Sequence, residues 1–522
     1  MSSVTTRTDI RSNSGSARLP GHPGLTLATI LLSQFMIGLD ATVLNVALPE
    51  IRGALGFSAT GLAWVTSAYM LTFGGLLLLG GRTGDILGRR RTFMAGLIVF
   101  AAASMLGGFA PTSGWLLVAR FAQGVAAAFA APSSLALITA NFEEGPKRTR
   151  ALGMVAGSYA GSLVIGLIAG GMIITWASWR WVMFLNVPIA VGVAILAPLF
   201  INEAQRHRAR FDVPGGLLSV AGMGSLVYGL LHAASAGWRD GATIGTLLAA
   251  AVLLSGFLYV EFHTEQAITP LGLFRNRNRS AGYAILLLLT GPLAAMNFYV
   301  TQLLQNVLHY SPLATGIAFL PMGAALMAAG GSAAQLLAKL GHIVVIVTGA
   351  AFVVIGMFWL SMVTIDSTYV GSVLGPIILF GAGVGIAMTA LNDLILSGVT
   401  ERESGAASSL LESMQWIGSV VGLALLVTIF GTAARRAAGS IPADAAPRAG
   451  DYVLVHGMSA AFVASIFFTV AAAVVTVLTV RMPKPAPKPD ATTGAKAERA
   501  VEDAPAATVE AAVPVVDAGA TG

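Results

Sequence analysis

Long apolar runs follow one another along almost the whole of this chain. A helix needs about 20 apolar residues to cross the ~30 Å hydrocarbon core of a bilayer, and fourteen runs come near that length. Charged residues make up only 10% of the 522 residues, against about 25% in soluble domains, so they cannot cover a water-exposed surface. The chain is therefore predicted to be an all-α integral membrane protein. The runs lie near residues 25–48, 62–80, 92–109, 115–137, 151–174, 181–200, 214–231, 244–260, 281–304, 312–336, 343–362, 370–396, 405–430 and 455–480.

The distribution of Lys and Arg predicts how these spans are oriented. Cytoplasmic loops of membrane proteins carry an excess of both residues, and here the loops on one side hold fourteen and those on the other side six. The richer side also holds both termini. We therefore expect residues 1–24 and 482–522 to be cytoplasmic tails, the second of them disordered because its composition shows no apolar period. The Ala-, Gly- and Arg-rich usage indicates a bacterial protein of the cytoplasmic membrane.

Several classes of function are disfavoured by composition. A net charge of +6 could indicate nucleic acid, but the basic residues are spread between apolar runs and do not form a polar domain. The chain has no cysteine and its seven histidines show no ligand spacing, so no metal is expected. No Walker Gly-Lys-Ser/Thr sequence is present, which argues against ATP hydrolysis. We expect no enzymatic activity and no cofactor, and we expect a monomer in the lipid bilayer.

One segment of the chain resembles another. Residues 59–64 read A-T-G-L-A-W and residues 314–319 read A-T-G-I-A-F, and a Gly pair follows each after some fourteen residues. The two segments open the second and tenth spans, so spans 1–6 and 9–14 would be equivalent halves. Repeated halves about a central site are a transporter architecture. This organisation divides the chain into a six-helix bundle over 25–200, two inserted helices with their loops over 201–280 and a second bundle over 281–481.

The most specific motif lies in the short loop predicted between the second and third spans. Residues 81–91 read G-R-T-G-D-I-L-G-R-R-R. Positive-inside anchoring explains the arginines, but it does not explain the spacing of the acid and the glycines. The segment closely resembles the signature loop of the major facilitator superfamily. The resemblance implies a conformational lock formed by Gly81, Asp85, Gly88, Arg89 and Arg90.

A physical version of that lock follows from the positions of the spans. Span 13 begins at Ser404-Gly405, so its amino end lies on the same predicted face as Asp85. A carboxylate near a helix amino end gains ~0.3–1 kcal/mol. We expect this contact to hold the cytoplasmic side closed and to break during a transport cycle.

Three more stretches narrow the resemblance to the family's fourteen-helix drug:proton antiporter branch. Residues 39–49 (LDATVLNVALP), 120–124 (RFAQG) and 179–188 are similar to that branch's first-, fourth- and sixth-helix motifs. The resemblance covers about residues 25–480. It implies two pseudo-symmetric six-helix bundles plus two inserted helices, and efflux of hydrophobic or cationic small molecules by alternating access, driven by the proton gradient. Export of one endogenous metabolite, peptide or amino acid is the alternative. A sensor without flux is a third class, against which the intact motifs argue.

The fifth-helix motif departs from the family pattern. The family usually has Gly-Pro before its paired glycines, whereas here Gly166 is followed by Leu167, with Gly170 and Gly171 intact. The glycine packing face is kept and the proline that favours a kink is missing. The motif therefore supports antiport less strongly than the other motifs do.

Ionisable side chains inside membrane spans are costly to bury, so each is a functional candidate. Asp40 in span 1 and Arg120 in span 4 both fall in the predicted outer half of the membrane, where they could pair directly or through water or substrate. The pair could be static. The sharper hypothesis is that Asp40 exchanges protons and Arg120 tunes its affinity for them.

A second pair of candidates lies in the other bundle. Asp393 near the end of span 12 and Glu412 in span 13 both fall in its inner half, and Glu412 stands where the family more often has an amide. Neighbouring carboxylates would favour proton uptake or a cationic substrate, although Asp393 could merely reach the cytoplasmic water. Other polar side chains could line a cavity or only tie helices together; they are Asn45, Gln123, Gln302, Gln305 and Gln415.

Overall fold

The computed structural model describes residues 23–58, 60–142, 146–203, 213–264, 271–399, 401–442 and 445–481. All regular secondary structure in these ranges is helical, which confirms the all-α class. Nearly all of the predicted tails lies outside them. The helices are α1 Pro23–Leu55, α2 Ala63–Leu87, α3 Arg89–Gly108, α4 Ser113–Asn141, α5 Pro146–Trp176, α6 Trp179–Phe184, α7 Asn186–Phe200, α8 Val213–Ala236, α9 Gly241–His263, α10 Arg277–Gln302, α11 Pro312–Ala318, α12 Leu320–Leu360, α13 Gly375–Leu396, α14 Glu401–Ala438 and α15 Ala449–Thr479. Short 3-10 turns lie at Leu271–Arg275 and Ala446–Arg448, and π-helical segments at Leu303–Val307 and Tyr369–Leu374.

Twelve stretches among the described residues are long and apolar enough to cross a membrane. One of them, Pro312–Leu360, covers two predicted spans, and α12 within it has a non-helical bend at Gly341, with φ 74°. Among the described residues of α5, a helix of 31 residues, Ile165–Trp176 forms a shorter apolar stretch. The chain is a multi-pass membrane protein, and the number fourteen stays a prediction.

Small residues set the distance between the helices. A Cβ at Gly80 of α2 would overlap the carbonyl oxygen of Ala128 in α4, and a Cβ at Gly383 of α13 would overlap that of Gly349 in α12. Lipid tails are as apolar as the helix surfaces, so helices in membranes associate through such close van der Waals contact. The many glycines of this chain therefore act in part as packing residues.

The buried apolar side chains of the described residues form three clusters. One cluster consists mainly of side chains from helices within α1–α7, and these helices are called the N-terminal group here. Another consists mainly of side chains from helices within α10–α15, and these helices are called the C-terminal group. The third draws on both groups and on α8. Helix α8 touches both sides: Thr428 Oγ1 of α14 donates to the Leu230 carbonyl at 2.6 Å, and Val220 packs against Gly75 of α2.

Helix α9 begins at a side-chain cap. The Asp240 carboxylate accepts hydrogen bonds from the backbone N–H groups of Ala242 and Thr243, at 2.9 and 3.1 Å, and lies 3.1 Å from His232 Nε2 of α8. The cap satisfies donors that a helix start leaves unpaired. Only 11% of the most apolar stretch of α9 is buried inside the protein, so this helix depends on its cap and on α8 for its position.

The cap predicts a stability that depends on pH. The Thr243 N–H, with smaller contributions from the Ala242 N–H and His232, holds the pKa of Asp240 below its ordinary value of 3.8, because these groups stabilise the ionised form. The stabilisation is therefore present above that ordinary value and is lost as the pH falls through the lower folded-state pKa. We expect Asp240→Ala to lower the melting temperature by about 1–2 °C at pH 7 and to have a smaller effect at a pH below the folded-state pKa of Asp240. Asp240→Asn, which can still cap, is the control, and an equal effect of Asp240→Ala at both pH values contradicts the prediction.

Candidate functional site

Asp40 and Arg120 form a direct ion pair in the core of the N-terminal group. Arg120 Nη1 of α4 donates to Asp40 Oδ2 of α1 at 2.7 Å. Both residues are only 1% exposed. Of the arrangements that the sequence left open, the structure has the direct one, without an intervening group.

Polar side chains from two further helices complete the surroundings of Asp40. Asn186 Nδ2 of α7 donates to Asp40 Oδ1 at 2.7 Å, and Gln123 Nε2 of α4 donates to the same oxygen at 3.4 Å. The Ser104 hydroxyl of α3 accepts from Gln123 at 2.5 Å and from Asn186 at 3.4 Å. Side chains of four helices thus form one hydrogen-bonded cluster around Asp40.

Arg120 is held from the other side as well. Its Nη1 also donates to Gln123 Oε1 at 2.9 Å, and its Nε donates to the Val65 carbonyl of α2 at 3.1 Å. Its guanidinium carbon lies 4.5 Å from the centre of the Tyr69 ring, a cation–π contact. A buried pair needs such additional partners, because taking two charges out of water costs several kcal/mol per ion.

Sequence reasoning named Asp40, Arg120 and Gln123 but missed the other members of this cluster. Asn186 stood in a quoted motif and was not assigned a role. An amide in an otherwise apolar run was the signal that could have found it. Ser104 and Tyr69 carried no such signal, because a serine or tyrosine among apolar residues occurs in many helices without function.

The signature segment is a sharp helix-to-helix junction, so the predicted loop is absent from this described part of the chain. Helix α2 ends at Leu87 and α3 starts at Arg89, with Gly88 alone between them at φ 110°. Glycine adopts this left-handed conformation at little cost. Gly81, also in α2, packs near Pro132 of α4.

The charges of the signature segment are paired within the N-terminal group. Arg89 donates to Asp85 through Nε at 3.0 Å and to the Ala136 carbonyl through Nη1 at 3.2 Å. Arg90 donates its backbone N–H to Glu203 Oε1 at 2.9 Å, so a carboxylate offsets the run of arginines at the positive amino end of α3. Sequence reasoning missed Glu203. The predicted contact of Asp85 with the start of α14 involves residues 401–406, whose side chains lie outside the described residues.

The three glycines of the fifth-helix motif pack against two different helices. A Cβ at Gly166 would overlap Thr42 of α1, and one at Gly170 would lie 2.9 Å from Val43 of the same helix. A Cβ at Gly171 would lie 2.6 Å from the Leu313 Cα of α11. Gly171 therefore brings the N-terminal group into contact with the C-terminal group, which the spacing of the motif did not predict.

Asp393 lies apart from the buried cluster. Its side chain is 58% exposed and pairs with His342 Nε2 at 2.7 Å. This exposure follows from its position, because Asp393 lies only three residues before Leu396, the last residue of α13. The second interpretation in the sequence analysis, that Asp393 reaches solvent, agrees with this geometry.

Glu412 is a half-buried side chain of α14. The Trp416 side chain, one turn further along the same helix, is close enough to interact with its carboxylate. Ser413 Oγ beside it is buried and has no partner among the described residues. Gln415 is likewise half-buried.

The remaining predicted polar residues differ in what they contact. Gln305 Nε2 donates to the Val46 carbonyl of α1 at 2.9 Å and so ties the two helix groups together. Asn45 Nδ2 donates to the Ala41 carbonyl of its own helix at 3.1 Å. Gln302 is buried, and its Oε1 has no partner in the described part of the chain. Among the described residues no group of three or more His, Cys, Asp or Glu could hold a metal.

These features define a class of protein. A multi-pass helical bundle that keeps an ion pair buried among its membrane spans is typical of membrane transport proteins, because such charges are otherwise selected against. The sequence match agrees: this chain belongs to the Major Facilitator Superfamily, whose model matches residues 30–423. The family identified from the motifs is thereby confirmed.

Relatives and solved structures extend the comparison. The chain is 38% identical over 408 residues to the puromycin resistance protein pur8 of Streptomyces alboniger, covering 77% of this chain and 81% of the relative. It is 35% identical over 478 residues to the cephamycin export protein CmcT of Amycolatopsis lactamdurans, covering 90% and 95%. Its fold is similar to a bacterial homolog of the human lysosomal transporter Spinster, with TM-score 0.61, 15% identity and coverage of 87% and 96%. At that identity the likeness shows the fold alone.

Proposed function

We propose that this protein exports hydrophobic or cationic small molecules, antibiotics among them, in exchange for protons. The two helix groups, corresponding to residues 25–200 and 281–481, would alternate between openings on the two sides of the membrane. The side carrying both termini and most of the Lys and Arg would be cytoplasmic.

The observation that carries this proposal is the buried pair of Asp40 and Arg120. A carboxylate enclosed by Arg120, Gln123 and Asn186 has partners for its ionised form. Any step that separates it from Arg120 would leave the carboxylate with fewer partners for its ionised form. Movement of α1 against α4 would thus be linked to proton uptake and release.

The relatives support the direction and the chemistry of transport. The names of the two relatives describe antibiotic resistance and export. Puromycin and cephamycins differ strongly in structure, so the two names refer to dissimilar compounds. One name refers to the export of a single class of antibiotic, which favours a narrow exporter as the second candidate.

Other predicted residues would serve this cycle. Asp85 with Gly81, Gly88, Arg89 and Arg90 would hold one end closed, and Glu412 would face a cationic substrate from the C-terminal group. Asp393, being exposed, would act at the surface if at all.

Transport in everted membrane vesicles tests the proposal. With the chain expressed in a pump-deficient bacterial host, we expect an imposed proton gradient to drive accumulation of puromycin, a cephamycin and a hydrophobic dye cation. An uncoupler should reduce accumulation to the level of vesicles without the chain. Uptake of one compound only would favour the narrow exporter, and the absence of any gradient-dependent uptake across a broad panel of compounds would sink the proposal.

A further inference from the structure

Trp416 of α14 is buried in the hydrophobic cluster formed by helices of the N-terminal group. It belongs to the C-terminal group, yet it packs in a hydrophobic cluster whose other buried members all precede residue 202. Its ring lies edge-on to Tyr69 and Phe73 of α2, with centroid distances of 6.1 and 4.9 Å. Only 9% of Trp416 is exposed. This side chain therefore connects the two helix groups.

The backbones of α2 and α14 approach closely at the same level. A Cβ at Gly74 would lie 2.6 Å from Trp416 Cβ and 3.3 Å from the Ile417 backbone nitrogen. Gly74 was noticed in the sequence only as part of the internal repeat. Its packing role is to let the Trp416 side chain reach between Tyr69 and Phe73.

The buried ion pair of Asp40 and Arg120 also contacts Tyr69. The Tyr69 ring that meets Trp416 also lies under the Arg120 guanidinium, 4.5 Å from its central carbon. Arg120 in turn holds Asp40 at 2.7 Å. Tyr69 thus touches the charged pair on one side and the other helix group on the other.

The second carboxylate, Glu412, lies one turn before Trp416 on α14. The Trp416 side chain is close enough to interact with the Glu412 carboxylate. An unbroken series of contacts therefore runs from Asp40 through Arg120, Tyr69 and Trp416 to Glu412.

We propose that Tyr69 and Trp416 are positioning residues that couple the charge on Asp40 to the seam between α2 and α14, an inference that rests on the proposed function. When Asp40 loses its charge, Arg120 loses its ionic partner and its balance between the carboxylate and the Tyr69 face changes. Trp416 senses the displacement of Tyr69 because the two rings are in contact within a close-packed core, which transmits strain. The seam between the helix groups then opens or closes with the charge state.

A double-mutant cycle tests this coupling, because non-additivity is the measure of interaction between two sites. The chain has no cysteine, so Leu78→Cys provides a single reporter on α2, where Leu78 packs against the C-terminal group. The measurement is its rate of labelling by a maleimide in membrane vesicles. In the chain with Trp at position 416, and also in Trp416→Phe, we expect Asp40→Asn to change the labelling rate by about fivefold or more. A change of this size is typical of allosteric coupling. In Trp416→Leu we expect less than about a twofold change.

The controls separate coupling from damage. Trp359→Leu removes a tryptophan that is 41% exposed on α12 and should leave the effect of Asp40→Asn intact. If Trp416→Leu does not fold, Tyr69→Leu compared with Tyr69→Phe replaces it; if Asp40→Asn does not fold, the neutral double variant Asp40→Asn/Arg120→Gln takes its place. The inference is overturned if Asp40→Asn changes the labelling rate by the same factor whatever residue stands at position 416, or changes it in none of these variants. Labelling requires no substrate, so a coupled chain without flux contradicts only the proposed function, and flux without coupling contradicts only this inference.

Discussion

Replacing Asp40 by Asn is expected to abolish proton-driven efflux and to destabilise the protein. The substitution removes one partner of a pair whose side chains are almost completely buried and leaves the Arg120 guanidinium unpaired. Breaking a buried pair in this way costs about 3–5 kcal/mol. The measurements are gradient-driven uptake in everted vesicles and the melting temperature of the purified protein.

Two comparisons make this result interpretable. The double variant Asp40→Asn/Arg120→Gln removes both charges, so it should regain most of the lost stability without regaining proton-driven transport. Asp366 and Arg448 form another Asp–Arg pair in the same chain, but with side chains 76% and 46% exposed. Asp366→Asn should therefore change stability by less than ~1 kcal/mol and leave transport intact. Proton-driven efflux by the double variant would show that Asp40 is not the coupling carboxylate.

A second large effect is expected from one added methyl group at Gly171. A Cβ there would lie 2.6 Å from the Leu313 Cα, and the neighbouring contact leaves no room either, because a Cβ at Gly316 would overlap the Leu167 carbonyl oxygen. The backbones of α5 and α11 would have to separate, at about 1–3 kcal/mol. Because ~1.4 kcal/mol shifts an equilibrium tenfold, Gly171→Ala and Gly316→Ala should each lower transport by about fivefold or more, by disfavouring the state in which α5 and α11 are in contact.

The same helix offers the matched control. Gly157 of α5 has no described atom within 4 Å of an added Cβ outside its own helix, so Gly157→Ala should keep transport and gain a little stability, up to ~1 kcal/mol, from helix propensity. Transport rates of the three variants at equal expression decide the matter. Equal rates for Gly157→Ala and Gly171→Ala would mean that the close approach of α5 and α11 has no part in the cycle.

Site residues could be predicted when the evidence for them was local in the sequence, and could not be predicted when it depended on residues far apart in the chain. Asp40 and Arg120 could be found because a charge within an apolar run is visible without any knowledge of the fold. The partner of Asp393 could not be found, since His342 lies 51 positions away and no local pattern links the two. The signature segment was located correctly, but its single-residue junction at Gly88 depends on how α2 and α3 are held by α4 and Glu203.

By itself, the sequence determined that this chain is a helical membrane protein, which family it belongs to and which charges lie among its spans. Hydropathy, loop charge and motif spacing are properties read along the chain, so they survive without coordinates. Only the tertiary structure decided which of these groups meet. It brought Asn186 to Asp40 across 146 positions and placed Trp416 in the core of the N-terminal group. Such contacts depend on the rotation and spacing of packed helices, which are set by small residues such as Gly74 on distant helices.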